Sequence, residues 1–237
     1  MGGISVRQYF DKYKHFLLIL YFPFYLLSFR FLETMKPDEI HIIDCALDQY
    51  IPFIEVFIIP YILWFAFMGV TGFYFLFRES KSFVKMMYFG MAGMTLFLFI
   101  SYIYPNGLDL RPEVFPRENI FTDLVRMIYS NDTSTNVLPS IHVFNSVGVC
   151  CAIHYSEKLR RHPAILKGST VLTVLIILST MFVKQHSIVD VVTGLALSYI
   201  MWELVYNKGV ERLQTAIESY QQNARTARYG KKRVPIK

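Results

Sequence analysis

His186 and Asp190 stand four residues apart in Lys184-Gln185-His186-Ser187-Ile188-Val189-Asp190, at the mouth of a long apolar run, and a second histidine sits in Pro139-Ser140-Ile141-His142. A carboxylate inside a membrane helix is costly unless it has a partner, and a histidine one helical turn away is a partner it can orient. An imidazole held by a carboxylate through one ring nitrogen presents the other nitrogen as a base or nucleophile. If that nitrogen attacks phosphorus, the charge growing on the equatorial oxygens needs fixed donors, and the leaving alkoxide needs a proton. Arg111 can supply the first and His142 the second. A metal is the competing use of two histidines and a carboxylate. A catalytic zinc wants three ligands at suitable spacing, however, and no His-Glu-x-x-His run occurs, so Asp190 reads as an orienting group and no metal site is expected.

The elements that must position these groups are membrane helices. The chain has 237 residues, of which 54% are hydrophobic and only 18% charged, which excludes an ordinary soluble domain. Six apolar stretches are legible: His15 to Phe31, Ile51 to Phe77, Phe83 to Tyr104, Ile141 to Tyr155, Ala164 to Val183 and Ser187 to Tyr206. Most reach the roughly 20 residues needed to cross a hydrocarbon core, so the expected fold is all-α, a six-helix transmembrane bundle over 1–207 with a tail from 208 to 237. The fourth stretch is short, consistent with a tilted span or one that starts within a cavity. The first is too long and aromatic for a cleaved signal and is expected to stay in the mature protein. Met1-Gly2-Gly3-Ile4-Ser5-Val6 misses the myristoylation pattern at Val6, so no lipid anchor is expected. Cys45, Cys150 and Cys151 offer no disulfide framework and read as packing residues.

The Lys and Arg residues sort by connection. The amino-terminal segment, the connection with Arg78, Lys81 and Lys85, the one with Lys158, Arg160, Arg161 and Lys167, and the tail together hold 18 of the 24. By the positive-inside rule these face the cytoplasm, with both termini inside. Arg111, Ser140, His142, Lys184 and His186 then all approach the membrane from the outer face. His15, His154 and His162 fall at the opposite face and His41 in the first outer connection, where ordinary surface roles are expected. The long connection from Pro105 to Pro139 leads into the Pro-Ser-Ile-His element, which favours a lid. In the tail, Val210 to Gln222 reads as helical, and Arg225, Arg228, Lys231, Lys232 and Arg233 suit anionic headgroups of the inner leaflet. Nucleic acid is not the expected partner, because the cluster lacks interleaved aromatics or a known module.

These residues resemble the type 2 phosphatidic acid phosphatase superfamily, membrane lipid phosphatases related to the vanadium haloperoxidases. The family signature runs Lys-x6-Arg-Pro, then Pro-Ser-x-His, then Ser-Arg-x5-His-x3-Asp. The chain matches Arg111-Pro112, Pro139-Ser140-x-His142, and Ser179 with His186-x3-Asp190, within a motif-bearing core of about residues 50–207. Tyr104 stands at the family's lysine and Thr180 at its arginine. Lys184, one helical turn from Thr180, is a candidate replacement for one of these cations. The branch resembling inositol phosphorylceramide and sphingomyelin synthases likewise keeps His, His and Asp while relaxing the cationic positions.

The resemblance implies that His186 attacks phosphorus to form a phosphohistidine, Asp190 orients it and His142 protonates the leaving oxygen, while Arg111 and Ser140 hold phosphoryl oxygens. No cofactor is implied. The leading expectation is a metal-independent lipid-phosphate phosphatase of the cell membrane, acting at the extracytoplasmic face on a membrane lipid phosphate. A phosphodiester head-group phosphotransferase is the first alternative, and a lipid-binding or transport protein that has lost the chemistry is the second.

Overall fold

Pro23 decides how the first apolar stretch folds. It has no N–H, and its ring clashes with the carbonyl four residues earlier, so the chain winds as a tighter 3-10 helix over Lys14–Leu20 before α1 begins at Tyr21–Thr34. The computed structural model describes residues 13–35, 37, 39–207, 215 and 219. The amino-terminal Met1-to-Val6 pattern and the basic cluster from Arg225 to Arg233 lie outside the described residues, as does nearly all of the stretch read as helical from Val210 to Gln222.

The second stretch starts later than its apolar run suggests. Ile51 to Ile54 is irregular, a 3-10 turn covers Glu55–Phe57, and α2 runs Ile58–Arg78. The cause is Glu55, whose carboxylate accepts from Asn119 at 3.1 Å and pairs with Arg117 at 3.1 Å, tying this turn to the long connection. The third helix, α3, spans Ser80–Ile103. After it come a short helix within the long connection, α4 (Ile120–Asn131), then α5 (Ile141–Tyr155), α6 (Pro163–Phe182) and α7 (Ile188–Val205). Proline at the first position of α6 forfeits no hydrogen bond, and Ser187 caps α7 by accepting from the Val189 N–H at 3.1 Å.

Among the described residues five helical stretches are long and apolar enough to cross a membrane, making this a multi-pass membrane protein; α5, the fourth of the expected spans, is the exception. At 15 residues it is about 22 Å long, short of the roughly 30 Å hydrocarbon core. Its surroundings differ from those of the longer helices. It packs against α2, α3, α6 and α7, and His142, Val143, Phe144, Asn145, Ser146, Gly148, Val149, Ala152 and Ile153 are buried, so it is the axis of the bundle and not a lipid-facing rod.

Small residues let neighbours close on this axis. Phe89 of α3 stacks on Phe144 at 4.7 Å between centroids, and glycines make the room: a Cβ on Gly93 would meet Phe144 at 2.1 Å, and one on Gly148 would meet Phe89 at 2.6 Å. A third close approach joins α5, which carries His142, to α7, which follows His186. A Cβ on Gly194 of α7 would lie 2.8 Å from the Ser140 carbonyl at the start of α5, beside the bond from the Ser140 N–H to the Asp190 carbonyl at 3.0 Å. Gly194→Ala is therefore expected to push α7 off α5. A shift of this kind typically costs about 1–3 kcal/mol in stability and, by misplacing a catalytic group by about 1 Å, about 100-fold in turnover. Thermal melting and kcat of the purified variant in detergent check both.

The long connection is folded over one end of the bundle. Residues His41–Ile42 (β1) pair in parallel with Asn106–Gly107 (β2), in the register His41 to Asn106 and Ile42 to Gly107. The buried Asn106 side chain accepts from the Val137 and Leu138 N–H groups at 2.8 and 2.9 Å, which fixes the approach to Pro139-Ser140. Glu33 at the end of α1 accepts from Thr133, Thr135 and Asn136, the last at 2.7 Å. The connection expected as a lid is thus anchored at several points along its length.

Candidate active site

The turn that delivers His186 is built by the end of α6. The Lys184 N–H bonds the Met181 carbonyl at 3.0 Å and the Gln185 N–H bonds the Thr180 carbonyl at 2.9 Å, the two crossed bonds of a Schellman motif. That motif needs a left-handed residue, and Lys184 adopts φ 54° where glycine is usual. The Thr180 carbonyl also accepts from the His186 N–H at 3.0 Å. The position where the family signature has arginine therefore acts here through its backbone, while its hydroxyl bonds the Ile177 carbonyl at 2.7 Å.

Three groups form a chain at this turn. His186 Nδ1 lies 2.8 Å from Asp190 Oδ2, and His186 Nε2 lies 3.1 Å from His142 Nδ1. All three residues are buried. A carboxylate only accepts, so the proton on the first contact belongs to His186 Nδ1. That leaves Nε2 with its lone pair, and the proton of the second contact belongs to His142. The pair was expected to lie one turn apart on a helix. Instead α7 starts at Ile188, so His186 precedes the cap residue and Asp190 sits in the first turn, where a helix N-terminus also favours an anion. His142 is held between Tyr61 and Trp64 of α2, with ring centroids 4.9 and 4.6 Å away.

Arg111 reaches this place by capping α4. Its Nη1 donates to the Tyr129 carbonyl at 3.3 Å and its Nη2 to the Asp132 carbonyl at 2.7 Å, while the guanidinium lies over the Tyr129 ring at 4.3 Å. A cation at the carbonyl end of a helix is where the dipole favours it. Burial pulls its pKa down against the neighbouring Tyr129, Asp132 and Tyr61, yet a guanidinium keeps its charge at neutral pH. Nη2 also donates to Gln185 Oε1 at 2.5 Å, which links Arg111 to the residue before His186. The Asp132 carboxyl accepts from the Tyr61 hydroxyl at 3.0 Å. Burial pushes its pKa up, against the Tyr61 bond and the nearby His186 and Arg111. It therefore brings negative charge to the site less readily than an exposed aspartate.

The remaining candidates sit differently. Ser140 caps α5, its hydroxyl accepting from Val143 at 3.4 Å and its N–H donating to the Asp190 carbonyl. Lys184, expected to help hold phosphate, gives its ammonium to the Asp48 and Ile51 carbonyls at 3.0 and 2.6 Å. It ties the His186 turn to the loop before α2, and burial lowers its pKa despite nearby Asp48. Tyr104, at the family's lysine position, stacks on His41 at 4.2 Å between centroids.

Sequence reading missed Asp48, which lies with Asp44 in the connection between α1 and α2. The buried carboxylate accepts from the Ser187 hydroxyl at 2.6 Å, the Ile188 N–H at 2.8 Å and the Cys45 N–H at 2.8 Å, clamping the start of α7. Burial works to raise its pKa, but these donors outweigh burial and hold it below its usual 3.8. A depressed carboxylate contributes stability that is present above its unfolded pKa and lost as pH falls through the folded value. Asp48→Ala is expected to cost about 2–4 kcal/mol at pH 7 by stranding buried donors. The gap between wild type and variant should narrow as pH drops below 3.8, which melting curves in detergent across that range would show.

An apolar cleft lies on the other side of a ring that packs against His142. Residues of α1, α2, α3 and α5, among them Phe22, Leu26, Trp64, Met68, Met94 and Ile141, line a cavity of about 510 Å³. Trp64 is both its wall and the ring against His142. Among the described residues, no group of three or more His, Cys, Asp or Glu side chains is placed to hold a metal ion.

Residues 107–213 match the model of the PAP2 superfamily, a span that contains Arg111, Ser140, His142, Lys184, His186 and Asp190. No curated protein and no solved structure matches the chain. Members of the superfamily are generally phosphatases or phosphotransferases, which is the chemistry that a histidine chain beside a capped arginine suits. The segment of this chain that carries Arg111, His142, His186 and Asp190 is similar to the PAP2 superfamily.

Proposed function

We propose that the protein is an integral-membrane lipid-phosphate phosphatase working through a phosphohistidine. The observation that carries this reading is the chain Asp190, His186, His142, in which one histidine is oriented by a carboxylate and the other faces its free nitrogen. In the first step the His186 Nε2 lone pair forms a bond to phosphorus while the bond from phosphorus to the lipid oxygen breaks. His142, as imidazolium, passes a proton to that oxygen. In the second step water attacks phosphorus, its proton goes to His142, the phosphorus–nitrogen bond breaks and phosphate leaves. Arg111 offsets the charge on the equatorial oxygens.

The lipid part of the reading is supported by the apolar cleft that ends at Trp64, next to His142. The outer face is supported by charge. Arg78 and Lys158 meet at the far end of α5, where the Lys158 ammonium bonds the Arg78 carbonyl, and basic connections favour the cytoplasmic side.

The test is to incubate purified protein in detergent, with a chelator, with phosphatidic acid, diacylglycerol pyrophosphate or an isoprenyl pyrophosphate labelled at the terminal phosphate. Free phosphate and an alkali-stable label on the protein are expected; no release from any of the three would overturn the reading. Transfer to an alcohol in place of water is the second reading, favoured by Tyr104 and Thr180 at the family's cationic positions. It would show as a new labelled lipid when a labelled phospholipid and a lipid alcohol are supplied together.

A further inference from the structure

Gln185 lies between two residues that the sequence marks, yet the motif gives it no part. Its side chain is 4% exposed, and the orientation of its amide is settled by its neighbour. Arg111 has only donors, so at 2.5 Å the group facing Nη2 must be the amide oxygen. The amide nitrogen then faces elsewhere. Gln185 Nε2 is buried without a hydrogen-bond partner, and so is Arg111 Nε, which lies in the same planar fork as Nη2. Buried donors left unmade cost about 1–3 kcal/mol each, and a pair of them joined through one 2.5 Å bond, next in sequence to His186, calls for a ligand.

We infer that Gln185 Nε2 and Arg111 Nε together hold a phosphoryl oxygen of the substrate, making Gln185 a substrate-binding residue that sets the charge the site accepts. The inference rests on the phosphohistidine reading above. Its consequence for specificity follows from counting charge. Lys184 commits its ammonium to backbone carbonyls, Thr180 bonds Ile177 and Tyr104 stacks on His41, so beside His142 the donors left uncommitted for phosphate among these candidates are one guanidinium and one neutral amide. Such a mount favours a phosphoryl group that enters with a single negative charge, so a lipid phosphate is taken as its monoanion, and a phosphodiester lipid is discriminated against less than at a site carrying the two further cations of the family signature.

Three variants test this: Gln185→Glu, Gln185→Leu and Gln185→Lys, assayed as full-length protein in detergent. The readouts are inhibition by orthovanadate and the ratio of kcat/KM for a phosphodiester lipid to that for phosphatidic acid. Glutamate keeps the shape and strengthens the contact to Arg111, so a purely structural Gln185 would lose nothing. A phosphoryl-holding one loses its donor and gains repulsion. Vanadate inhibition is therefore expected to weaken by about tenfold or more in Gln185→Glu and in Gln185→Leu. Gln185→Lys is expected to shift the ratio toward phosphatidic acid. Wild-type vanadate inhibition retained in Gln185→Glu, with phosphohistidine still formed by wild type, overturns this inference alone. A wild-type protein that neither binds vanadate nor forms phosphohistidine overturns the phosphatase reading together with it.

Discussion

His186→Ala is expected to form no labelled phosphoprotein and to release phosphate at least about 10⁴-fold more slowly than wild type, because the step that splits the reaction in two has lost its nucleophile. The cavity left by an imidazole is small, and the turn that carries it is held through its backbone by Thr180 and through Lys184 by the loop at Asp48 and Ile51. The variant should therefore melt close to wild type in detergent. Full activity in a folded His186→Ala protein would remove the ground for any phosphohistidine mechanism. A lipidomic comparison of membranes carrying wild type and this variant would reveal substrate and product together.

Asp190→Asn is the second large effect. An amide at this position can present an N–H to His186 Nδ1, which would then accept and move the ring proton to Nε2, the atom that must attack. In the serine-protease triad the same change leaves the geometry intact and lowers turnover about 10⁴-fold, and a similar loss is expected here. The buried carboxylate has Oδ2 on His186 at 2.8 Å, while Oδ1 has no hydrogen-bond partner. The substituted amide would therefore be accommodated without breaking a second contact. The measurement is kcat alongside phosphoprotein yield: both should fall together, whereas a variant impaired only in substrate binding would recover at saturating lipid.

What the sequence made legible was the chemistry that lies along the chain. His186 and Asp190 were readable because four residues separate them, and the long apolar helices because their composition alone announces a membrane. What it hid was chemistry made by folding back. Lys184 looked like a cation for phosphate by its distance from Thr180 on an assumed helix. The helix stops at Phe182 and the chain turns through a left-handed residue, which aims the ammonium at carbonyls instead. Asp48 is 138 positions before His186, and nothing local sets it apart from Asp44; only the folded loop shows that it clamps α7. The fourth stretch was seen as short, but its centrality depends on its neighbours. Phe144, Gly148 and Gly93 acquire meaning only when α3 and α5 meet.

The contact between the two histidines has a dynamic consequence. With Nε2 and Nδ1 3.1 Å apart, there is no space between the rings for a phosphorus atom and its oxygens. A near-attack approach on one side and a hydrogen bond on the other require a gap of about 6 Å. On the proposed mechanism the rings must therefore part at each turnover, and α5 and α7 cannot easily separate to allow it, since Gly194 seats α7 directly on the Ser140 carbonyl. The coordinate this leaves to the mechanism is the side chain of His142, whose ring packs against Tyr61 and Trp64. On the proposed mechanism the resting protein is a shut latch, its nucleophile covered by its own acid. A phosphorylated lipid arriving along the cleft walled by Trp64 would be the key that lifts it.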